Sequence, residues 1–429
     1  MKLKINNTEG IREINKTKNR QLIIEAGIKV FINKGVAEAT VRDIIRSTGL
    51  ASGTFYNYFK RVNPLVCFSV KSNSNVSILT ELGKLGSGAD VVSEGELLKA
   101  LKAKINPKKI VFSGVGKTDS ELRLAIKKRV LLINVESESE ALLINKISKK
   151  MNRVTSIGIR LNPNVDANTL SKISTGKLDS KFGLLSSNFL KFCKNSKNLN
   201  NIKISAISVH IGSQITSISP YKRTLNVIRK IIRLSGINFD YIDLGGGFGI
   251  QYKNKDKKID IKNYSTLVQK FQKETNCKII FEPGRYIVGN TGSLVSKIIF
   301  IKKNGNKYFI ILDAGMNDFM RPALYNAKHE IISVSKSKKR IAGNIEFVGP
   351  ICESTDTFLK YKNFPFIKEG EYVTITNVGA YGSTLSSNSS SVTSSNSKEP
   401  SSSKSSSSSP HARAKRRAHR QEGWRRCRA

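Results

Sequence analysis

The chain has 429 residues, 39 % of them hydrophobic, and carries 73 Lys and Arg against 32 Asp and Glu, a formal net charge of +41; this excludes a wholly disordered chain and leaves room for two or three domains. The basic excess would ordinarily suggest nucleic acid, but most of it is lysine spread over amphipathic segments in the middle of the chain, which reads as a solvated surface. Cys67, Cys193, Cys277, Cys352 and Cys427 have no paired spacing and so argue against a disulfide framework or a zinc site, while the lack of a membrane-length apolar run or a signal-peptide core fits a reducing cytoplasm.

Over about residues 16–60, Ile23, Ile24, Ile28, Val30 and Phe31 recur at helical spacing, Gly35 stops that helix, and Thr40 can cap the next, VRDIIRSTG. Gly49 then turns the chain into ASGTFYNYF, completing a helix-turn-helix layout within residues 1–63. From Pro64 the pattern changes to apolar strands alternating with amphipathic helices. PLVCFSV, ADVVS, KIVFSG, VLLINVES, VTSIGIRLNP, ISAISVHIGS, FDYIDLGGG and KIIFEPGR are the strand candidates. Eight such repeats over residues 64–290 predict an α/β fold, a (β/α)8 TIM barrel of about the usual 250 residues, with reactive groups at the C-terminal ends of its strands. Residues 291–384 read as antiparallel strands of a smaller, truncated β domain, and residues 385–429 as a disordered Ser-rich and Arg-rich tail.

Lys71, His210, Gly245 to Gly247 and Glu282 all fall at strand ends. Taken singly each has a plainer reading: a lysine is usually solvated, a histidine usually a hydrogen-bonded core residue, a glycine run usually a turn. Together they supply what pyridoxal 5'-phosphate chemistry needs, namely an amine for the aldehyde, backbone amides for the phosphate and a carboxyl for the ring nitrogen. Lys71 would form the Schiff base, Gly245, Gly246 and Gly247 would cradle the phosphate with Ser213 nearby, Glu282 would pair with the ring nitrogen, and His210 would stack on the ring.

Two resemblances follow from the wording of the motifs. TVRDI, GLASGT and FYNYF resemble the DNA-binding headpiece of TetR-type repressors, which implies that Thr40, Ser52, Thr54, Tyr56, Tyr58 and Lys60 face DNA. Across residues 64–384, FSVKSNSN, GADVVSEGEL, FSGVGKTDSEL, RLNPNVDA, STGKLDSKFG, VHIGSQI, DLGGGFGI, FEPGRYIVGNTG, LDAGMNDFMRPALY, VGPICESTD and VGAYG resemble the diaminopimelate decarboxylases, pyridoxal-phosphate enzymes of the alanine-racemase-like barrel class. That resemblance implies conversion of meso-diaminopimelate to L-lysine in a cytoplasmic homodimer with shared sites. It implies Cys352 as the acid that returns a proton to Cα, with Lys71 and His210 beside it. Gly284 and Arg285 would join the cofactor site. Arg285, Arg321 and Tyr325 would hold the far carboxylate, Glu353 the ammonium beside it, and Tyr381 would lie against cofactor or substrate, with Cys352 and Glu353 coming from the partner subunit.

The chain departs from that family before the Lys71 strand, where the TetR-like segment stands, and after GAYG, where the serine-rich tail stands. Both departures fall on the β domain and predict exposed sheet edges. The alternatives are a DNA-binding regulator whose barrel senses a small molecule, a non-functional chimera joined near Asn63 and Leu385, and an ornithine or arginine decarboxylase of the same fold. Glu353, Arg321 and Tyr325 argue against the last, whose substrates lack a second carboxylate.

Overall fold

A computed structural model of the chain describes residues 58–167, 175–176, 178–253, 256–335 and 337–387. Thr40, Ser52, Thr54 and Tyr56 of the expected DNA-contact set, and residues 388–429 of the serine-rich tail, lie outside the described residues.

Strands and helices alternate from residue 65: β1 (Leu65–Ser69), α1 (Val76–Lys84), β2 (Gly88–Val91), α2 (Glu94–Lys102), β3 (Ile110–Phe112), α3 (Asp119–Lys128), β4 (Leu132–Val135), α4 (Glu138–Lys150), β5 (Thr155–Asn162), β6 (Leu184–Leu185), α5 (Ser186–Asn195), β7 (Ile202–Ser208), α6 (Ser219–Ser235), β8 (Tyr241–Asp243), α7 (Ile261–Thr275) and β9 (Lys278–Phe281). The strands pair in the order β4-β3-β2-β1-β9-β8-β7-β5-β6, and β4 also pairs with β5, so all but the two-residue β6 form a closed ring. Each of the eight apolar runs read from the sequence overlaps one strand of that ring, with β2 beginning one residue and β7 two residues before its run.

Small polar caps turn the chain from strand to helix. Asn75 accepts from the Ser77 amide, Ser93 from Glu96 and Ser137 from Glu140, while Thr118 and Glu121 form a capping box. These caps satisfy first-turn amides that would otherwise lack partners just beyond the strand ends.

Side chains alternate along a strand, and this decides what fills the barrel. Cys67, Val111, Leu132, Ala206 and Ile280 form one buried apolar cluster. Two residues further along the same segments stand Ser69, Ser113, Asn134, Ser208 and Glu282, all buried. The interior is therefore an apolar plug overlain by a polar layer at the C-terminal ends of the strands, the end that carries active sites in this fold.

The last turn of the helix-turn-helix segment belongs to the barrel's packing. Phe59 is 0 % exposed, with its ring centroid 4.6 Å from Phe281 and 6.0 Å from Tyr264. Gln272 Nε2 on α7 donates to the Val62 carbonyl at 3.1 Å. Tyr58 and Lys60, on either side of Phe59, are exposed.

A short helix, α8 (Arg285–Val288), leads to the second sheet, made of β10 (Leu294–Asn304), β11 (Lys307–Leu312), β12 (Ile331–Ser333), β13 (Arg340–Val348), β14 (Thr357–Pro365) and β15 (Tyr372–Ile375), with helix α9 (Arg321–Tyr325) between β11 and β12. The order is β12-β15-β10-β11-β13-β14. The expected all-antiparallel sheet is corrected at one pair: β11 and β13 run parallel. The chain between them passes through α9 and β12, a crossover long enough to bring β13 back in the same direction. Strands β12 and β14 were not read from the sequence; they form the two sheet edges. Among the described residues no helix is long and apolar enough to cross a membrane.

Phe59→Ala is expected to lower stability by about 3–5 kcal/mol, as emptying a filled core site does, measured by denaturant unfolding of the barrel. A loss under about 1 kcal/mol would show that Phe59 is not part of the barrel's core.

Candidate active site

Lys71 lies in a short 3-10 turn, Val70–Ser72, directly after β1. Its Nζ is 2.7 Å from Oδ2 of Asp90, which is fully buried and also accepts from Ser69 Oγ at 2.6 Å. The strand register opposes Ser69 to Asp90 and thereby brings the lysine and the carboxylate together. Burial alone would raise the Asp90 carboxyl, but the Lys71 ammonium and the hydroxyl of Ser69 outweigh it and hold it below the ordinary carboxylate value. Burial likewise favours a neutral Lys71, and the Asp90 carboxylate, through its charge and its hydrogen bond, overcomes it, so the amine stays protonated. The Lys71 side chain keeps 35 % of its surface open, enough for an aldehyde to reach Nζ.

Burial, then the negative charges of Asp243 and Asp90, pushes the Glu282 carboxyl well above its usual range, so it carries a proton at neutral pH. Asp243 is better placed to remain ionised, because it accepts from the Gly245 amide, Asn134 Nδ2 and Ser208 Oγ, each at 3.0 Å. Burial and then the positive charges of Lys71 and Arg160 push the His210 imidazole down to about 3, keeping the ring neutral, although part of its surface is open to the cleft. His210 Nδ1 accepts from the Gly246 amide at 3.3 Å.

The run Gly245–Gly247 threads between the segments that carry His210 and Glu282. A Cβ on Gly246 would lie 2.1 Å from the Glu282 carbonyl oxygen, and one on Gly247, where φ is +84°, would lie 2.2 Å from the carbonyl oxygen of Gly212. Only glycine fits. Gly284 packs against Ser72 and Ser69 in the same close fashion. Arg285 donates from Nη2 to Ser213 Oγ at 3.1 Å, and its buried Nε has no hydrogen-bond partner among the described residues. A side-chain-free glycine run, a hydroxyl and an unspent guanidinium N–H fit a phosphate. A protonated buried carboxyl fits a basic ring nitrogen, and an open amine fits an aldehyde. The donor set therefore matches pyridoxal phosphate.

The β domain adds the far wall. The Tyr381 amide donates to the Ser72 carbonyl at 2.7 Å, and the Arg285 guanidinium lies 4.9 Å from the Tyr381 ring centroid. Arg321 is buried, 6.0 Å from the ring of Tyr325 on its own helix, and reaches Arg285 through the hydroxyl of Tyr252. Cys352 and Glu353 are not brought to this cluster. Both are exposed, on a loop pinned where Asp356 accepts from the Ile351 and Met316 amides. Sequence reasoning missed Asp90, Tyr252 and His329. The acidic residue in GADVV two strand-residues after a glycine was the available signal for Asp90; nothing local marks the other two.

The family model described as "Pyridoxal-dependent decarboxylase, pyridoxal binding domain" matches residues 51–289, and that described as "Bacterial regulatory proteins, tetR family" matches residues 23–61. The chain is 42 % identical over 331 residues to the diaminopimelate decarboxylase of Aquifex aeolicus, covering 76 % of this chain and 78 % of that one. It is 42 % identical over 343 residues to the Helicobacter pylori strain J99 enzyme of the same name, covering 79 % and 84 %. The crystal structure of diaminopimelate decarboxylase from Helicobacter pylori complexed with L-lysine superposes with a TM-score of 0.74 at 40 % identity, over 78 % of this chain and 86 % of that one.

The Lys71–Asp90 pair sets a pH dependence. The lowered Asp90 carboxyl contributes stability that is present above about pH 3.9 and is lost as pH falls through its folded value; the raised Lys71 ammonium contributes stability present below about pH 10.4 and lost as pH rises through its folded value. In the cofactor-free protein, the drop in thermal midpoint caused by Asp90→Asn should thus be constant from about pH 5 to 9 and shrink below about pH 4. A drop of undiminished size at about pH 2 would rule out the ion pair as its source.

Proposed function

The chain belongs to the diaminopimelate decarboxylase family, and we propose that it converts meso-2,6-diaminopimelate to L-lysine and CO2 with pyridoxal 5'-phosphate held at the barrel mouth. The observation that carries this reading is the Lys71–Asp90 pair, set in one buried layer with the protonated carboxyl of Glu282. When bound, pyridoxal phosphate supplies the sink for the electron pair left on Cα as the carboxylate departs.

The residues divide the remaining work. Lys71 presents the amine that holds the aldehyde, and Asp90 keeps that amine oriented. Glu282 offers its proton to the ring nitrogen, while His210, kept neutral, can lie on the ring without adding positive charge. Gly245, Gly246, Gly247, Ser213 and Gly284 hold the phosphate end. Arg285 and Arg321 make no ion pair within the chain among the described residues, and with Tyr325 they suit a second carboxylate, which favours diaminopimelate over ornithine or arginine. Tyr381 borders cofactor and substrate.

The exposed position of Cys352 and Glu353 supports their acting in the site of a second copy, Cys352 returning a proton to Cα and Glu353 reading the far ammonium. The working form is then a cytoplasmic homodimer with two shared sites. The match over residues 23–61 supports an additional capacity for DNA, with Tyr58 and Lys60 exposed at its end.

Two measurements test the reading. Adding pyridoxal phosphate should produce a visible absorbance band that is absent in Lys71→Ala, with lysine and CO2 released from meso-diaminopimelate; a Lys71-dependent band without lysine would sink the substrate assignment. Lys71→Ala and Cys352→Ala should each be inactive alone, and mixing and reassociating equal amounts should restore about a quarter of wild-type activity, since half the dimers then carry one intact site. No recovery would place Cys352 at its own subunit's site or outside the chemistry.

A further inference from the structure

Two buried guanidinium groups, Arg285 from the barrel and Arg321 from the β domain, converge on one phenol oxygen. Arg285 Nη1 donates to Tyr252 Oη at 2.5 Å and Arg321 Nη2 donates to the same oxygen at 3.1 Å. Each arginine is 6 % exposed. Like charges at such range repel, and an acceptor shared between them is the minimum needed to keep them together.

The shared oxygen is itself fixed. The Tyr252 and Lys253 amides donate to Asp256 Oδ2 at 3.0 and 2.9 Å, which pins the loop after the glycine run. The Tyr252 ring meets His329 edge-on, with centroids 4.8 Å apart. His329 in turn accepts from Arg321 Nε through Nε2 at 3.2 Å, so its proton sits on Nδ1 and is donated to the Thr376 carbonyl at 3.0 Å. Arg321 is held from both sides, by His329 at Nε and by Tyr252 at Nη2.

We propose that Tyr252 is a positioning and specificity-determining residue: its hydroxyl joins Arg285 and Arg321 into one carboxylate subsite, and its own proton, free because both neighbours are donors, completes that subsite as a third hydrogen bond. The subsite selects substrates with a carboxylate at the end remote from the reacting carbon. Its chemistry is set by the three donors; the identity of the substrate as diaminopimelate rests on the proposed function.

Tyr252→Phe removes the oxygen and keeps the ring against His329. In the variant carrying pyridoxal phosphate, calorimetric titration with pimelate, a dicarboxylate without amines, should show affinity weakened about ten- to a hundred-fold, the size expected for hydrogen bonds to charged groups. KM for meso-diaminopimelate should rise by a similar factor while kcat stays within about threefold, and the cofactor absorbance should not change. Wild-type pimelate affinity in Tyr252→Phe, no pimelate binding by the wild type, or a fall in kcat at constant KM would each overturn the proposal. If the wild type releases no lysine yet binds pimelate, and Tyr252→Phe weakens it, the decarboxylase reading fails and the subsite stands. If the wild type releases lysine and Tyr252→Phe changes nothing, the reverse holds.

Discussion

The barrel mouth buries three carboxyl groups, Asp90, Asp243 and Glu282, in one layer, and the rest of the site is arranged around that constraint. An ionised carboxylate cannot be taken out of water unless it is paired or fully hydrogen-bonded. Asp90 has Lys71, and Asp243 has an amide, an amide side chain and a hydroxyl. Glu282 has the Asp243 carboxyl as a hydrogen-bond partner and Ser113 Oγ at 3.5 Å; two carboxyls share such a bond only if one keeps its proton, and burial with the negative charge of Asp243 leaves it on Glu282. The layer thus keeps one proton at neutral pH that a solvated carboxyl would have released, and a basic aromatic nitrogen is the kind of group that can accept a hydrogen bond from it. The apolar plug beneath, from Cys67 to Ile280, keeps water from relieving the imbalance from the other side.

The second constraint is the closeness of barrel and β domain. A Cβ on Gly379 would lie 1.9 Å from the Val288 carbonyl oxygen, and one on Gly292 would lie 2.5 Å from the Gly379 Cα. Backbones at this separation fix the segment that follows, where Tyr381 adopts φ of +58° and donates its amide to Ser72. A left-handed tyrosine costs energy and persists only where its surroundings determine it. Asn73 adds a bond from Nδ2 to the Gly379 carbonyl at 2.9 Å. The turn that carries Lys71 and the loop that carries Tyr381 are therefore one structural unit, although they are some three hundred positions apart in sequence.

What the sequence made legible follows the same division. Strand and helix periods, the glycine run and the lysine after an apolar run are local signals, and all eight barrel strands were read from them. Asp90, Tyr252 and His329 acquire their roles from register and from contacts between distant segments. Asp90 looks like an ordinary strand-end acid until β2 pairs with β1, and Tyr252 looks like a loop tyrosine until two arginines reach it. The parallel pairing of β11 and β13 was hidden for a related reason, because alternation marks a strand but not its direction. The exposed Cys352 shows the limit from the other side: its motif was legible, yet the single chain does not carry it to Lys71.

Phe59 shows how the two resemblances meet physically. It lies against Phe281, and the next residue, Glu282, points into the barrel while Phe281 points out. The end of the tetR-like segment and the strand that presents the Glu282 carboxyl to the barrel mouth are thus back to back in one core. Tyr264 closes over Phe59 as well, and Gln272 holds the Val62 carbonyl. Coupling between two sites requires an element with two arrangements that each site biases differently. A phenylalanine with no exposed surface, packed on two rings and followed by a tethered backbone, has one arrangement. The barrel therefore dictates the conformation of residues 58–62, and whatever the preceding segment binds, its last turn is set by the packing of β9 and α7.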